Sequence, residues 1–137
     1  GAYRIARESG AQVAILGSAG ERPLAERVAA AMGTKPRVLC GETTLAGLVG
    51  VLKQLRLLLT NDSGPMHLAA ALGTPLVAVF GSTDWTETAP VSGRARVVRE
   101  DTECAPCRLR ECPIDHRCMA RVSVDRVAAA ALELVAA

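Results

Sequence analysis

The sequence predicts an α/β domain wound around a parallel sheet. Three observations point there. Short runs that are apolar on both faces, such as Leu76-Val77-Ala78-Val79-Phe80, alternate with longer segments whose apolar residues recur at helical spacing. These runs close on glycine or small polar residues. Residues 57–75 hold a strand, a turn and a short helix in unbroken order, and repeated βα units of this kind build a doubly wound sheet covered by helices.

The elements follow in order. Residues 2–9 read as the second half of a helix stopped by Gly10, so the chain is expected to be a piece of a longer protein. Residues 12–16 form an apolar strand ending at Gly17. A helix is expected over 21–32, with Leu24, Val28, Ala31 and Met32 as its inner face and Gly33 as its stop. Residues 37–39 are a short strand. Thr43 or Thr44 caps the next helix, whose face is Leu45, Leu48, Val49 and Leu52. Residues 55–59 are a strand, 65–72 a helix, 76–80 a strand and 95–98 a last strand. Ser123 caps a terminal helix that turns Val124, Val127, Ala131 and Leu134 to one side.

At 137 residues the chain is long enough for a single domain, 1–137, with a real core. Half its residues are hydrophobic but only 2% are aromatic, so the core is Leu, Val, Ile and Ala with Phe80, Trp85 and Tyr3 as the only rings. A formal charge of +2 and so few rings argue against a nucleic-acid partner, which needs a basic groove and stacking platforms. The uncharged run 65–83 is broken by Gly73-Thr74-Pro75 and does not read as a membrane span. Charges at Arg4, Arg7 and Glu8 stand where a signal peptide would be apolar, and a cytoplasmic protein is expected. Residues 94–126 hold eight arginines against six acidic residues, which reads as a solvated face, with contact to anionic lipid heads as the alternative.

In doubly wound sheets, ligands bind beyond the strand C-termini. Four loops qualify: 17–21, 41–44, 60–66 and 81–88. The third carries the strongest signal. Asn61-Asp62-Ser63-Gly64 precedes Pro65, which suits a first helical turn because its missing N–H is not needed there. Unpartnered N–H groups and the helix dipole favour a phosphate at such a point. The Ser63 and Gly64 amides suit a diphosphate. The Asp62 carboxylate would repel one, so it is expected to cap the helix or accept from a sugar hydroxyl. His67, one turn on, is either a phosphate or sugar contact or a half-buried structural histidine. Helix capping alone would also account for these residue types.

Gly17-Ser18-Ala19-Gly20-Glu21 is a small-residue loop without dinucleotide-fingerprint spacing. Glu21 either complements the helix dipole or accepts from ribose hydroxyls. Thr43 in Gly41-Glu42-Thr43-Thr44 is either a capping residue or a nucleobase contact. Cys104, Cys107, Cys112 and Cys118 form C-x2-C-x4-C-x5-C in a cysteine-rich loop, 103–122. Four thiolates so close suit structural zinc or an iron–sulfur cluster, though the spacing matches neither common pattern, and reduced structural thiols are the competing account.

Thr60-Asn61-Asp62-Ser63-Gly64-Pro65-Met66-His67 through Pro75, followed by Val79-Phe80-Gly81-Ser82-Thr83-Asp84, resembles the bacterial ADP-heptose:lipopolysaccharide heptosyltransferases of glycosyltransferase family 9. Cys104-Ala105-Pro106-Cys107, Glu111-Cys112-Pro113, His116 and Cys118-Met119 resemble the heptosyltransferase II branch. The resemblance implies the C-terminal, Rossmann-like half of a GT-B enzyme. It further implies a donor, ADP-heptose (carrying L-glycero-D-manno-heptose), and an acceptor, the lipopolysaccharide inner core, with inversion at the anomeric carbon and no required cofactor. A partner domain on the N-terminal side would carry the catalytic Asp base and a Lys near the donor phosphates. Catalysis would then take place at the inner face of the inner membrane, with peripheral contact. Glu21 falls at the ribose position, Thr43 near the adenine, and Asp62, Ser63, Gly64 and His67 at the phosphate and sugar turn. Trp85 stands where many members carry Pro.

Two other readings remain at this level. One is a different GT-B nucleotide-sugar enzyme, a transferase or an epimerase. The other is a cysteine-ligated metal-binding module on the same scaffold, since this fold hosts many functions.

Overall fold

The computed structural model describes all 137 residues. They form two compact units, Gly1–Val51 and Leu52–Ala137. The first unit runs α1 (Ala2–Ser9), β1 (Ala14–Ile15), a 3-10 turn (Ala19–Glu21), α2 (Arg22–Ala31), β2 (Arg37–Val38) and most of α3 (Leu45–Gln54). Helix α1 stops at Gly10, whose φ of 69° is the left-handed conformation that glycine adopts without a Cβ penalty. Strands β1 and β2 pair in parallel, with Ala14 opposite Arg37 and Ile15 opposite Val38.

The inner face expected for α2 is not the one observed. Leu24 is 58% exposed and Val28 46% exposed, and the helix buries Ala25 instead. Helix α2 lies over β2 and the 3-10 turn. Strands of two residues present little surface, and a methyl group is enough to cover it. In α3 the buried residue is Leu52, while Leu45 is exposed at the opposite end of the predicted stripe.

The second unit runs β3 (Leu58–Asn61), α4 (Gly64–Ala71), β4 (Leu76–Phe80), α5 (Trp85–Thr88), β5 (Ala95–Arg99), α6 (Arg117–Ala120) and α7 (Val124–Ala136). Its three strands are parallel in the order β3-β4-β5, with Leu58 opposite Leu76 and Leu76 opposite Ala95. The central strand carries the core: Leu76, Val77, Ala78 and Phe80 are all buried. Burying a side chain the size of Leu76, Val77 or Phe80 contributes about 1.5–3 kcal/mol. Helix α7 covers β4 and β5 with Val127, Ala128, Ala131 and Leu134, while Val124 of the predicted stripe stays exposed. Helix α4 buries Met66 and Ala69. The one buried polar side chain, Thr74, donates its hydroxyl to the Leu52 carbonyl at 2.8 Å.

The parallel α/β architecture is as expected, but the five strands make two hydrogen-bonded ladders rather than one continuous sheet. The strand expected at 55–59 begins later. The Leu55 amide still closes on the Leu52 carbonyl at the end of α3, and pairing with β4 starts at Leu58 and extends to Asn61. Helices α5 and α6, four residues each, carry no periodic signal of their own. No helix is long and apolar enough to cross a membrane.

Candidate functional site

In the first unit, the loops after β1 and β2 meet. The Gly41 amide donates to the Gly17 carbonyl at 3.0 Å. Gly41 has φ 75°, and a Cβ there would fall 2.8 Å from Ala19 Cα, so only glycine permits this approach. Ser18 and Glu21 form a reciprocal capping box around the 3-10 turn. Glu21 Oε2 accepts from the Ser18 amide at 2.7 Å and from the Ser18 hydroxyl at 2.8 Å. These bonds, the amide's first, hold the Glu21 carboxyl below its usual range. Glu21 thus closes the turn ahead of α2 rather than standing within the helix. Arg22 links the two loops, donating to the Cys40 carbonyl at 2.8 Å and to Glu42 Oε1 at 2.9 Å. Of the two candidate caps for α3, Thr44 is the one used: its Oγ1 accepts from the Gly47 amide at 3.0 Å. Thr43 is left half-buried beside it.

In the second unit, β3 leads through Asp62 and Ser63 into α4. Ser63 is the residue ahead of the helix, yet its side chain makes no capping bond. Its hydroxyl shares a 3.0 Å hydrogen bond with Thr60 Oγ1. The expectation that Asp62 caps the helix is corrected: Asp62 Oδ2 accepts from the Thr88 hydroxyl at 2.8 Å instead. The reason is tertiary, because α5 brings Thr88 to the carboxylate. Asp62 and Ser63 are therefore both bonded elsewhere, and the first turn of α4 keeps a positive end with no side-chain capping bond. Gly64 carries no side chain over the entry, and His67 is exposed.

Helix α5 is held by Asp84. Its Oδ1 accepts from the Thr86 amide at 3.0 Å and from the Thr86 hydroxyl at 2.6 Å, and its Oδ2 accepts from Arg108 Nη2 at 2.9 Å. The Thr86 hydroxyl first, then Arg108, hold the Asp84 carboxyl below the usual carboxylate range. Arg108 also pairs with Glu87 at 3.1 Å, and its amide donates to the Ser82 carbonyl at 2.8 Å. At the C-terminal ends of β4 and β5, a cavity of about 220 Å³ is lined by residues including Gly81, Trp85, Arg99, Asp101 and Thr102. The Arg99 guanidinium lies over the Trp85 ring, 4.5 Å from its centroid.

The cysteine-rich loop packs against the end of β4. A Cβ on Gly81 would fall 2.5 Å from Met119 Sδ and 3.4 Å from Cys118 Sγ. All five cysteines are free thiols. Burial pushes the Cys118 thiol up, and the charges of Cys104, Cys107 and Cys112 push it further. No group of three or more His, Cys, Asp or Glu side chains is arranged to hold a metal ion. Of the two accounts of Cys104, Cys107, Cys112 and Cys118, a metal set or reduced structural thiols, the structure shows no three of them arranged as a metal set, and two of them make local contacts. Cys112 Sγ accepts from the His116 amide at 3.2 Å, and Cys104 Sγ lies 3.6 Å from Thr102 Oγ1.

Sequence reasoning missed Arg22, Asp84, Thr88 and Arg108. For Asp84 a signal existed, since Asp two residues ahead of Thr86 is capping chemistry. The partners of Arg22, Thr88 and Arg108 lie far along the chain, and no local pattern announces them.

A family model described as glycosyltransferase family 9 (heptosyltransferase) matches residues 3–117. The chain belongs to glycosyltransferase family 9. Within family 9 it is 39% identical over 95 residues to lipooligosaccharide heptosyltransferase 2 of Campylobacter jejuni, a match that covers 68% of this chain and 30% of that protein. It is 40% identical over 96 residues to lipopolysaccharide heptosyltransferase 2 of Escherichia coli strain K12, covering 67% of this chain and 28% of the relative. The solved structure of E. coli ADP-heptose lps heptosyltransferase II superposes with a TM-score of 0.82 at 32% identity, over 98% of this chain and 40% of that one. A family 9 glycosyl transferase from Veillonella parvula gives a TM-score of 0.81 at 27% identity, with the same coverage. The chain thus corresponds to well under half the length of these family 9 members, and its parallel α/β fold is theirs.

Proposed function

We propose that this chain is the donor-binding part of an inverting heptosyltransferase, which moves L-glycero-D-manno-heptose from ADP-heptose to the lipopolysaccharide inner core. The observation that carries this reading is the entry to α4. Asp62 and Ser63 both have capping chemistry, and both are bonded elsewhere, to Thr88 and Thr60. A helix end left without a side-chain cap suits a diphosphate. There the N–H groups of Ser63 and Gly64 would stabilise the charge that grows on the leaving diphosphate as the glycosidic bond breaks. Asp62, fixed by Thr88, retains Oδ1 to accept from a sugar hydroxyl, and exposed His67 is a second sugar or phosphate contact.

In the first unit, Glu21 is the proposed ribose contact and Thr43 the proposed adenine contact. The Glu21 carboxylate is kept ionised by Ser18, so it would act as a hydrogen-bond acceptor. The base that activates the acceptor hydroxyl belongs to a separate N-terminal domain of the same enzyme. The proposed place of action is the cytoplasmic face of the inner membrane, where the acceptor is met by peripheral contact.

Calorimetric titration of the chain with ADP, and with UDP and GDP as controls, tests the assignment. Binding selective for ADP, tightened by ADP-heptose, is the expected result. Equal response to all three nucleotides, or none, overturns it.

A further inference from the structure

The cysteine-rich loop and the α4 entry are joined by a continuous line of hydrogen bonds within the second unit. It starts at Arg108, next to Cys107. The Arg108 backbone is in the left-handed region at φ 58°, which a side-chain-bearing residue adopts only when its surroundings hold it there. Its amide is tied to Ser82 at 2.8 Å, and its guanidinium reaches Asp84 at 2.9 Å and Glu87 at 3.1 Å. Asp84 caps α5 with its other oxygen. Helix α5 is a single turn, too short to persist without such support. Its last residue, Thr88, donates to Asp62 Oδ2 at 2.8 Å.

We propose that Arg108 is a positioning residue for the donor site, setting the Asp62 carboxylate through Asp84, α5 and Thr88. The proposal rests on the donor-site reading above for its effect on binding, but not for the coupling itself. Arg108 touches no part of the proposed donor site. Its side chain is 58% exposed, so an exposed ion pair alone adds little to stability. What it supplies is the orientation of a one-turn helix that carries the only side-chain hydrogen bond to Asp62. Asp62 keeps Oδ1 for a ligand only while Thr88 holds Oδ2.

A double-mutant cycle on the full chain tests this, with Arg108→Ala, Thr88→Val, the pair together, and Thr88→Ser as the conservative variant. Two readouts are taken: amide NMR shifts of Asp62, Ser63 and Gly64, and the affinity for ADP-heptose against ADP. Arg108→Ala is expected to move the three amide shifts. It is also expected to weaken ADP-heptose by about three- to tenfold, and ADP by less, since Asp62 serves the sugar. Thr88→Val should do the same, the double variant no more than Thr88→Val alone, and Thr88→Ser should restore both readouts. Unmoved amide shifts in Arg108→Ala, or effects of the two substitutions that simply add, overturn the relay. If the unaltered chain binds neither ligand, the donor reading fails, and the amide shifts still decide the coupling.

Discussion

Ser18 and Ser63 each follow a parallel strand and precede a helical turn, yet their side chains serve different ends. Ser18 closes a capping box with Glu21, three residues away. Ser63 turns back to Thr60, and its neighbour Asp62 is taken by Thr88, 26 residues away. The first turn satisfies its own polar groups with local partners. The second leaves its helix entry without a side-chain cap because Ser63 bonds to Thr60 within the turn and a tertiary contact claims Asp62. Similar residue types therefore give a capped turn in one unit and a helix entry without a side-chain cap in the other. Residue identity alone does not separate a cap from a site; the partner each oxygen finds does.

The largest expected effect comes from disturbing the loop contact beside the self-contained turn. Gly41→Ala would place a Cβ 2.8 Å from the Ala19 backbone at a positive φ. Urea denaturation is expected to show a loss of about 2–4 kcal/mol. Gly73→Ala, with φ +73° but open space around it, should cost only about 1 kcal/mol. Equal losses at the two glycines would show that backbone conformation, not the approach to Ala19, governs the first.

In the open turn, Asp62→Ala is expected to weaken ADP-heptose binding about tenfold, from loss of a hydrogen bond to a charged acceptor. Titration against ADP-heptose and ADP checks it. Unchanged affinity in a folded variant removes Asp62 from the site.

The capping box should respond the other way. Ser18→Ala removes a cap and is expected to cost about 1 kcal/mol in thermal or urea unfolding, while adenosine affinity stays within twofold because the Glu21 carboxylate remains. A large loss of affinity with no loss of stability would reverse the contrast between the two turns.

The smallest effect concerns acid. The Asp84 carboxyl, ordinarily near 3.8, is lowered in the folded chain by the Thr86 hydroxyl and then Arg108. Its contribution to stability is full above about pH 4 and disappears as pH falls through the lower folded value. Asp84→Asn should lower stability at neutral pH and flatten the decline below about pH 4. An unchanged acid limb would show that Asp84 is not linked to folding.

Much of the fold was legible because its signals are local. The apolar run 76–80 became the central strand, Gly10 stopped α1, and Ser123 caps α7 by accepting from the Arg126 amide at 3.2 Å. The helix faces were less legible. Leu24 and Val28 have helical spacing but lie exposed, since periodicity says which residues share a face and not how much surface awaits them. At the candidate site, the sequence pointed to Asp62, Ser63 and Gly64 as a strand-to-helix turn, and that is where they stand. It did not show what Asp62 would bond to.

The sequence by itself determined the parallel α/β class, the order of its main elements and the location of the turn after β3, because strand propensity, glycine stops and proline at a helix start act over a few residues. Only the tertiary structure decided which partner Asp62 takes in this turn, and how the short helix α5 is held beside it. Thr88 and Arg108 reach their partners from 26 and 24 residues away, and a hydrogen bond between such residues exists only once the chain has folded to bring them within 3 Å.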